Sequence, residues 1–188
     1  MASHAAQGSY KLTVAGVTRH LPKVRVSPSL SIASFVMLGD TELIEKSADA
    51  LYNHPQFPKF EIDVLVCPEA KAIPLAHALA RLSQVNYIVV RKSVKSYMQN
   101  PLTEEVQSIT TAGRQMLVLN GPDVDKIRGR QVCVVDDVVS TGGSIVGIER
   151  LLTKAGCKVI CKVAVLLEEG GYDKGDLVYL ERLPVFRD

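Results

Sequence analysis

Two adjacent carboxylates followed by hydroxyl and glycine residues form the most chemically distinctive stretch of the chain, VCVVDDVVSTGGS, residues 132–144. Asp136 and Asp137 come at the end of an apolar segment that is typical of a buried strand. Ionised carboxylates only accept hydrogen bonds, so two of them suit a vicinal diol such as the 2′- and 3′-hydroxyls of a ribose. The acid pair therefore predicts a sugar-binding site at the end of a strand.

The residues after the acid pair have the composition of an anion-binding turn. The turn consists of Val139, Ser140, Thr141, Gly142, Gly143 and Ser144. It leads into a segment whose apolar periodicity predicts a helix. Glycines let the backbone approach a ligand closely, and the free N–H groups and the dipole at a helix N-terminus favour an anion. Acids for the sugar and N–H groups for a phosphate together predict a clamp for ribose 5-phosphate.

Other motifs fit this stretch less well. A Walker-type loop needs a Lys before its final Ser or Thr, where this chain has Gly143. A dinucleotide fingerprint has a different glycine spacing, and receiver-type domains carry paired acids near the first strand. A turn with no ligand is the remaining alternative, because glycine-rich turns often serve only as turns.

The elements around this stretch predict a parallel sheet. The predicted strands are EIDVLVC, NYIVVRK, QVCVVDD, KVICKVAVLLEE and a short last one, DLVYLERL. Amphipathic segments between them predict helices, and the polar stretch 92–115 predicts a loop followed by a hairpin. This alternation is typical of an α/β fold whose parallel sheet is covered by helices on both faces. Ligands of such sheets bind beyond the carboxyl ends of the strands.

Composition limits the remaining possibilities. The chain has 188 residues, 47% of them hydrophobic, and a formal net charge of +2. We expect a single domain over residues 10–188, preceded at 1–9 by a disordered N-terminus or a cloning remnant. No apolar run reaches the length of a membrane span, and we expect a cytoplasmic protein. The near-balanced charge argues against a nucleic-acid partner. The four cysteines predict reduced thiols, mostly buried, and no metal–thiolate centre.

Residues 132–144 resemble the phosphoribosyl diphosphate (PRPP) signature of the type I phosphoribosyltransferases. The order of elements resembles that family from about Asp40 onward. The resemblance implies the family fold, with a small hood over residues 10–39, a core over 40–188 and a mobile loop or hairpin. Such enzymes transfer ribose 5-phosphate from PRPP to a nitrogenous base and release diphosphate, usually with Mg²⁺. The resemblance further implies that Asp136 and Asp137 hold the ribose, that the turn holds the 5′-phosphate, and that the protein is a homodimer. Mg²⁺ would bind through PRPP, with the two acids as its candidate direct ligands.

Within that family the chain most resembles the adenine phosphoribosyltransferases. The segment PEAKAIPLAHALA sits where those enzymes carry their diphosphate loop, and VVRKSVK resembles the strand end before the mobile loop. Lys71 replaces the usual Arg of that loop, and Ala72 the usual Gly. Lys71 and Arg91 are therefore candidates to neutralise the leaving group. The residues implied to meet diphosphate are Glu69, Ala70, Lys71, Arg91, Lys92 and Lys95. A solvated loop is the alternative for Lys92 and Lys95.

One family residue is missing. The adenine enzymes carry a Glu in the mobile loop, just before an aromatic and a Gly, which assists proton transfer at the base. Alignment on Gly113 places Thr111 at that position. Glu104 and Glu105 lie upstream as candidate replacements, and loss of one acid–base group need not abolish such a reaction.

Arg25, Phe35 and Glu168 are the candidates for base contacts. Enzymes for 6-oxopurines usually place a Lys near the end of the strand after the signature helix, where this chain has Glu168. An acceptor suits the exocyclic amine of adenine, which favours formation of AMP in purine salvage. Solvent exposure of Glu168 and a core role for Phe35 are the structural alternatives. The functional alternatives are a hypoxanthine, guanine or xanthine enzyme and a PRPP-sensing regulator that binds nucleic acid.

Overall fold

The computed structural model describes residues 8–107 and 114–187, which form eleven strands and four helices. The strands are β1 (Ser9–Val14), β2 (Val17–Ser27), β3 (Leu30–Ala33), β4 (Val64–Pro68), β5 (Asn86–Val90), β6 (Leu102–Gln107), β7 (Arg114–Leu119), β8 (Gln131–Val139), β9 (Lys158–Glu168), β10 (Val178–Leu183) and β11 (Val185–Arg187). The helices are α1 (Thr41–Tyr52), α2 (Ile73–Ser83), α3 (Gly121–Ile127) and α4 (Gly143–Lys154).

The central sheet has the order β10-β9-β8-β4-β5, and every neighbouring pair in it is parallel. Strand β4 and residues 132–135 of β8 are continuous apolar runs because both faces of the sheet are covered. On one face, α1 and α2 share a hydrophobic core with the sheet that includes Leu51 and Leu75. On the other face, α3 and α4 contribute Ile127, Ile148 and Leu151 to a second core. The predicted α/β fold class is confirmed.

Helices α1, α2 and α4 each begin at a residue that suits a helix start. Asp40 caps α1, since its carboxylate accepts a hydrogen bond from the Leu43 N–H at 3.1 Å. Pro74 lies in the first turn of α2, where its missing N–H costs no helical hydrogen bond. The backbone at Gly142 has a φ of +83°, which favours glycine, and α4 starts at the next residue. Helix α3 was not predicted from the sequence.

A separate antiparallel sheet forms the hood, in the order β1-β2-β3-β11. Strand β11 pairs with β3, so the hood takes one strand from the C-terminal end of the chain as well as three from the N-terminal segment. Phe186 of β11 lies edge-on to Tyr10 of β1, with ring centroids 5.9 Å apart. The hood shares the core of the α1–α2 face through residues such as Leu12 and Ala33.

Strands β6 and β7 form the predicted hairpin, but it begins at Leu102, within the stretch that was expected to be a loop. Arg91, just after β5, exchanges two backbone hydrogen bonds with Val118 of β7, which ties the hairpin to the central sheet. The hairpin also packs on α4, where a Cβ added to Gly147 would lie 2.1 Å from Val106 Cγ1. No helix in residues 8–107 and 114–187 is long and apolar enough to cross a bilayer.

Candidate active site

Asp136 and Asp137 lie near the carboxyl end of β8 and are only 8% and 7% exposed. They were expected at the end of the strand, but β8 continues to Val139. The Asp137 N–H donates to Asp136 Oδ1 at 2.9 Å, while Asp137 Oδ2 is buried with no hydrogen-bond partner. Burial raises the pKa of Asp136 well above its usual value, and the adjacent Asp137 charge adds to this. Such a pair would be stabilised by hydroxyl donors or a cation from a ligand.

The turn after β8 presents its backbone at the start of α4. No side chain caps this helix, because the N-cap is Gly142. Thr141, Gly143 and Ser144 are exposed, so they are accessible to a ligand. The helix continues for 12 residues, which gives its N-terminus a dipole that favours an anion. The turn and the acid pair therefore form one continuous surface over residues 136–144.

Glu69 links the ends of β4 and β5. Its carboxylate accepts a hydrogen bond from the Lys92 N–H at 2.6 Å and lies 2.6 Å from Arg91 Nε in an ion pair. Burial alone would raise the pKa of Glu69, but the Lys92 N–H and the Arg91 charge outweigh it, and the pKa is lowered. Glu69 therefore stays ionised at neutral pH and holds the Arg91 guanidinium in place. The peptide bond between Glu69 and Ala70 is cis.

The basic candidates gather at the same edge of the sheet. The charge of Lys92 partly opposes the rise in the pKa of Asp136, and the charge of Lys95 helps to lower the pKa of Glu69. Lys71 is exposed on the turn before α2. Because β5, β4 and β8 are parallel neighbours, their carboxyl ends bring these cations close to the acid pair. The site thus has an acidic part at β8 and a basic part at β4 and β5.

The three base-contact candidates lie in different places. Arg25 is half-buried in β2, paired across the hood with Ser31. Phe35 is 4% exposed and belongs to the hydrophobic core beneath the hood. Glu168 ends β9, where burial raises its pKa, and it lines a cavity of about 400 Å³ together with Tyr179 and Arg182.

Glu104 does not lie free in the hairpin. Its carboxylate lies 2.8 Å from Arg150 Nε and also pairs with Lys154, both on α4, and it is only 9% exposed. The hydrogen bond from Lys154 lowers the pKa of Glu104, although burial opposes this. Both of its partners are cations on the surface of α4. They neutralise the Glu104 carboxylate, so no ligand is needed to explain a charge at this position. Thr111 and Gly113, on which the loop alignment depends, lie outside the described residues.

The segment 169–177 contributes a contact that sequence reasoning missed. The Tyr172 N–H donates to the Ser140 carbonyl oxygen at 2.8 Å, so this segment touches the glycine turn. The only sequence signal was an aromatic residue inside the otherwise polar and glycine-rich EEGGYDKG. Such a residue is buried when it has a specific place to pack.

Comparison with known proteins identifies the family of this chain. Residues 37–181 match the family described as the phosphoribosyl transferase domain. A hypoxanthine/guanine phosphoribosyltransferase from Methanothermus fervidus is 32% identical over 149 residues, which is 79% of this chain and 72% of that protein. One of the same name from Methanothermococcus okinawensis is 30% identical over 162 residues, 80% of this chain and 81% of that protein.

Among solved structures, adenine phosphoribosyltransferase from Rhodothermus marinus superimposes with a TM-score of 0.66. The match covers 94% of this chain and 95% of that one at 22% identity, so it concerns the fold. The family match includes the acid pair, the glycine turn and the strand ends that carry Glu69 and Arg91. With that match and these relatives, the chain belongs to the phosphoribosyltransferase family, as residues 132–144 predicted.

Proposed function

We propose that this protein is a purine phosphoribosyltransferase, which transfers ribose 5-phosphate from PRPP to a purine base and releases diphosphate. The observation that carries the proposal is the buried Asp136–Asp137 pair directly ahead of the glycine turn that opens α4. An unpartnered carboxylate oxygen on Asp137 supports it, since such an atom favours a ligand that brings donors. The names of the curated relatives support the purine.

The proposed reaction is a displacement at the anomeric carbon. The bond from C1′ to a diphosphate oxygen breaks, a bond from C1′ to a base nitrogen forms, and the proton of that nitrogen passes to water or to the released diphosphate. Asp136 and Asp137 accept hydrogen bonds from the ribose hydroxyls, and the negative charge of the pair stabilises the cation-like sugar. The N–H groups of the turn bind the 5′-phosphate. Fixing both ends of the ribose phosphate supplies most of the catalysis, because it orients C1′ towards the base.

The basic part of the site would meet the leaving group. Arg91, Lys92, Lys95 and Lys71 supply positive charge for diphosphate at the ends of β4 and β5. Glu69 keeps the Arg91 guanidinium oriented through their 2.6 Å ion pair. Lys71 would act as a point charge, since it lacks the two-pronged geometry of the Arg that it replaces.

Magnesium fits this set of residues. Mg²⁺ prefers oxygen ligands, keeps several waters and binds through one or two carboxylates plus substrate phosphates. The Asp136–Asp137 pair offers such oxygens, one of them without a partner. Residues 8–107 and 114–187 contain no group of three or more His, Cys, Asp or Glu that could hold a metal ion. We therefore propose that the ion enters with PRPP, where it would neutralise charge on the diphosphate.

Adenine is the proposed base. Glu168 at the end of β9 is an acceptor beside a cavity, which suits an exocyclic amine. The second candidate is hypoxanthine or guanine, which the printed names of the relatives at 32% and 30% identity favour. The homodimer and the cytoplasmic location stay predictions from the sequence.

The test is diphosphate release from PRPP and Mg²⁺, with adenine, hypoxanthine, guanine, xanthine and orotate supplied separately. We expect turnover with adenine that Asp136→Asn and Asp137→Asn each abolish. Asp49→Asn, an exposed position on α1, is the matched control and should leave turnover unchanged. Preference for hypoxanthine or guanine would reject adenine and keep the family reaction. Failure of every base to react would reject the enzyme.

A further inference from the structure

Lys162 is a buried charge in the middle of β9, and its side chain is only 5% exposed. Its ammonium lies 2.9 Å from Glu149 Oε2 of α4 and 2.7 Å from Asp176 Oδ2. It also donates to Tyr172 Oη at 3.3 Å. A buried ammonium is costly to desolvate unless each of its three donors has a partner, and these three atoms supply them. The Lys162 cluster (Glu149, Lys162, Tyr172 and Asp176) therefore joins β9, α4 and the segment 169–177.

Tyr172 connects the Lys162 cluster to the glycine turn. Its hydroxyl donates to Asp176 Oδ1 at 2.6 Å, which fixes the far end of the ring. Its N–H donates to the Ser140 carbonyl oxygen at 2.8 Å. The ring itself fills the space beside Gly142, where an added Cβ would lie 2.2 Å from Tyr172 Cδ2. One residue thus contacts both Ser140 and Gly142.

The neighbouring backbone is packed just as closely. A Cβ added to Gly171 would lie 2.2 Å from the Ser140 carbonyl oxygen, so the two backbone segments are in direct contact. These contacts return to the turn from which they start. The turn opens α4, and Glu149 of α4 binds Lys162. Lys162 binds Tyr172, and Tyr172 contacts the turn. Ser140 and Gly142 therefore cannot shift without breaking a contact with the segment 169–177.

We propose that Tyr172 and Lys162 are positioning residues for the 5′-phosphate of PRPP. Tyr172 holds the backbone of residues 140–142 in the conformation that aims their N–H groups at the phosphate, and Lys162 holds Tyr172. The inference rests on the proposed function, because the turn is taken there to bind the phosphate. Donors that are fixed before the ligand arrives bind it more strongly than donors that must first be ordered.

The test measures binding of ribose 5-phosphate by calorimetry and the separate KM values for PRPP and base. Tyr172→Leu keeps an apolar side chain but loses the ring and its hydroxyl. We expect it to weaken ribose 5-phosphate binding and raise the KM for PRPP by about tenfold or more. Because Tyr172 also lines the cavity beside Glu168, the KM for the base is compared in Lys162→Met, which lies outside that cavity, and it should change by less than about twofold. Lys162→Met and Tyr172→Phe keep the ring but remove a contact that holds it. We therefore expect smaller changes in ribose 5-phosphate binding and in the KM for PRPP. Tyr87→Leu, at the amino end of β5, is the matched control.

A merely structural role predicts a different pattern. Tyr172→Leu and Tyr87→Leu would then lose stability alike, with ribose 5-phosphate affinity of the folded protein unchanged, and that result would overturn the proposal. If Tyr172→Leu does not fold, unchanged affinity in both Lys162→Met and Tyr172→Phe has the same meaning. Wild-type protein that binds neither PRPP nor ribose 5-phosphate would instead reject the proposed function. Wild-type binding equalled by the variants would reject only the positioning role.

Discussion

Replacing Gly142 by Ala tests the geometry of the glycine turn most directly, because two separate costs can be worked out for it. The backbone at Gly142 has a φ of +83°, and an Ala there costs about 1–2 kcal/mol. The new Cβ would also lie 2.2 Å from Tyr172 Cδ2 and 3.0 Å from Cε2. Overpacking of this kind costs about 1–3 kcal/mol.

The Tyr172 ring has little freedom to move aside. Its hydroxyl is bound to Asp176 and Lys162, and its N–H is bound to Ser140. We therefore expect both costs in full, and Gly142→Ala should lower the free energy of unfolding by about 2–5 kcal/mol. For a chain of this size that lowers Tm by about 4–20 °C.

Equilibrium unfolding in urea without ligand measures this change, and two other glycines separate its parts. Gly170 and Gly175 have φ values of +71° and +73°, but a Cβ added to either meets nothing within 4 Å. Gly170→Ala and Gly175→Ala should therefore show the backbone cost alone, about 1–2 kcal/mol. Adding Tyr172→Leu to Gly142→Ala should recover about 1–3 kcal/mol relative to the sum of the single changes, because the contact is then gone. A Gly142→Ala variant no less stable than Gly170→Ala would refute the reasoning.

Three further predictions follow from single side chains. The pKa of Glu104 is lowered in the folded protein. Its contribution to stability is therefore fully present above the pKa it has in the unfolded chain, and it is lost as the pH falls through the pKa it has in the folded protein. Glu104→Gln should therefore lower unfolding free energy by about 1 kcal/mol at neutral pH, with a smaller difference in acid, while kcat stays unchanged; a fall in kcat would mean that Glu104 acts on the base. Phe35→Leu should destabilise the protein by about 1 kcal/mol and leave the KM for the base unaltered, whereas a raised KM would indicate stacking. Lys71→Arg should lower the KM for PRPP, since a guanidinium binds phosphate oxygens in pairs, and a higher KM would count against Lys71 in the diphosphate site.

The parts of the site that the sequence predicted are local in the chain. The acid pair and the glycine turn lie within nine residues, so their spacing alone reports a strand, a turn and a helix start. The central sheet was predictable for the same reason, because its strands contain apolar runs that are local in the chain. Neither inference required knowledge of which distant residues meet.

The parts that were not predicted depend on contacts between distant segments. Glu69 binds Arg91 only because β4 and β5 are neighbours in the sheet, and Tyr172 reaches Ser140 only because of the path taken between β9 and β10. Hydrophobic periodicity indicates which face of an element is buried, but it does not identify the partner of a buried charge such as Lys162. Strand β11 is similar, since three residues near the C-terminus gave no sign that they complete the hood.

Asp136, Gly142 and Lys162 each place a demand on the folded chain before any ligand binds. Because burial and Asp137 raise the pKa of Asp136, the folded protein binds that proton more tightly than the unfolded chain, and this group makes stability fall as pH rises above its usual value of 3.8. Gly142 needs a left-handed backbone, and Lys162 needs three partners to be buried. A ligand that supplies hydroxyl donors, a cation and a phosphate would remove the first of these costs and use the rigidity that the others provide. Under the proposed function, PRPP would therefore stabilise the costly acid pair and bind to the rigid turn.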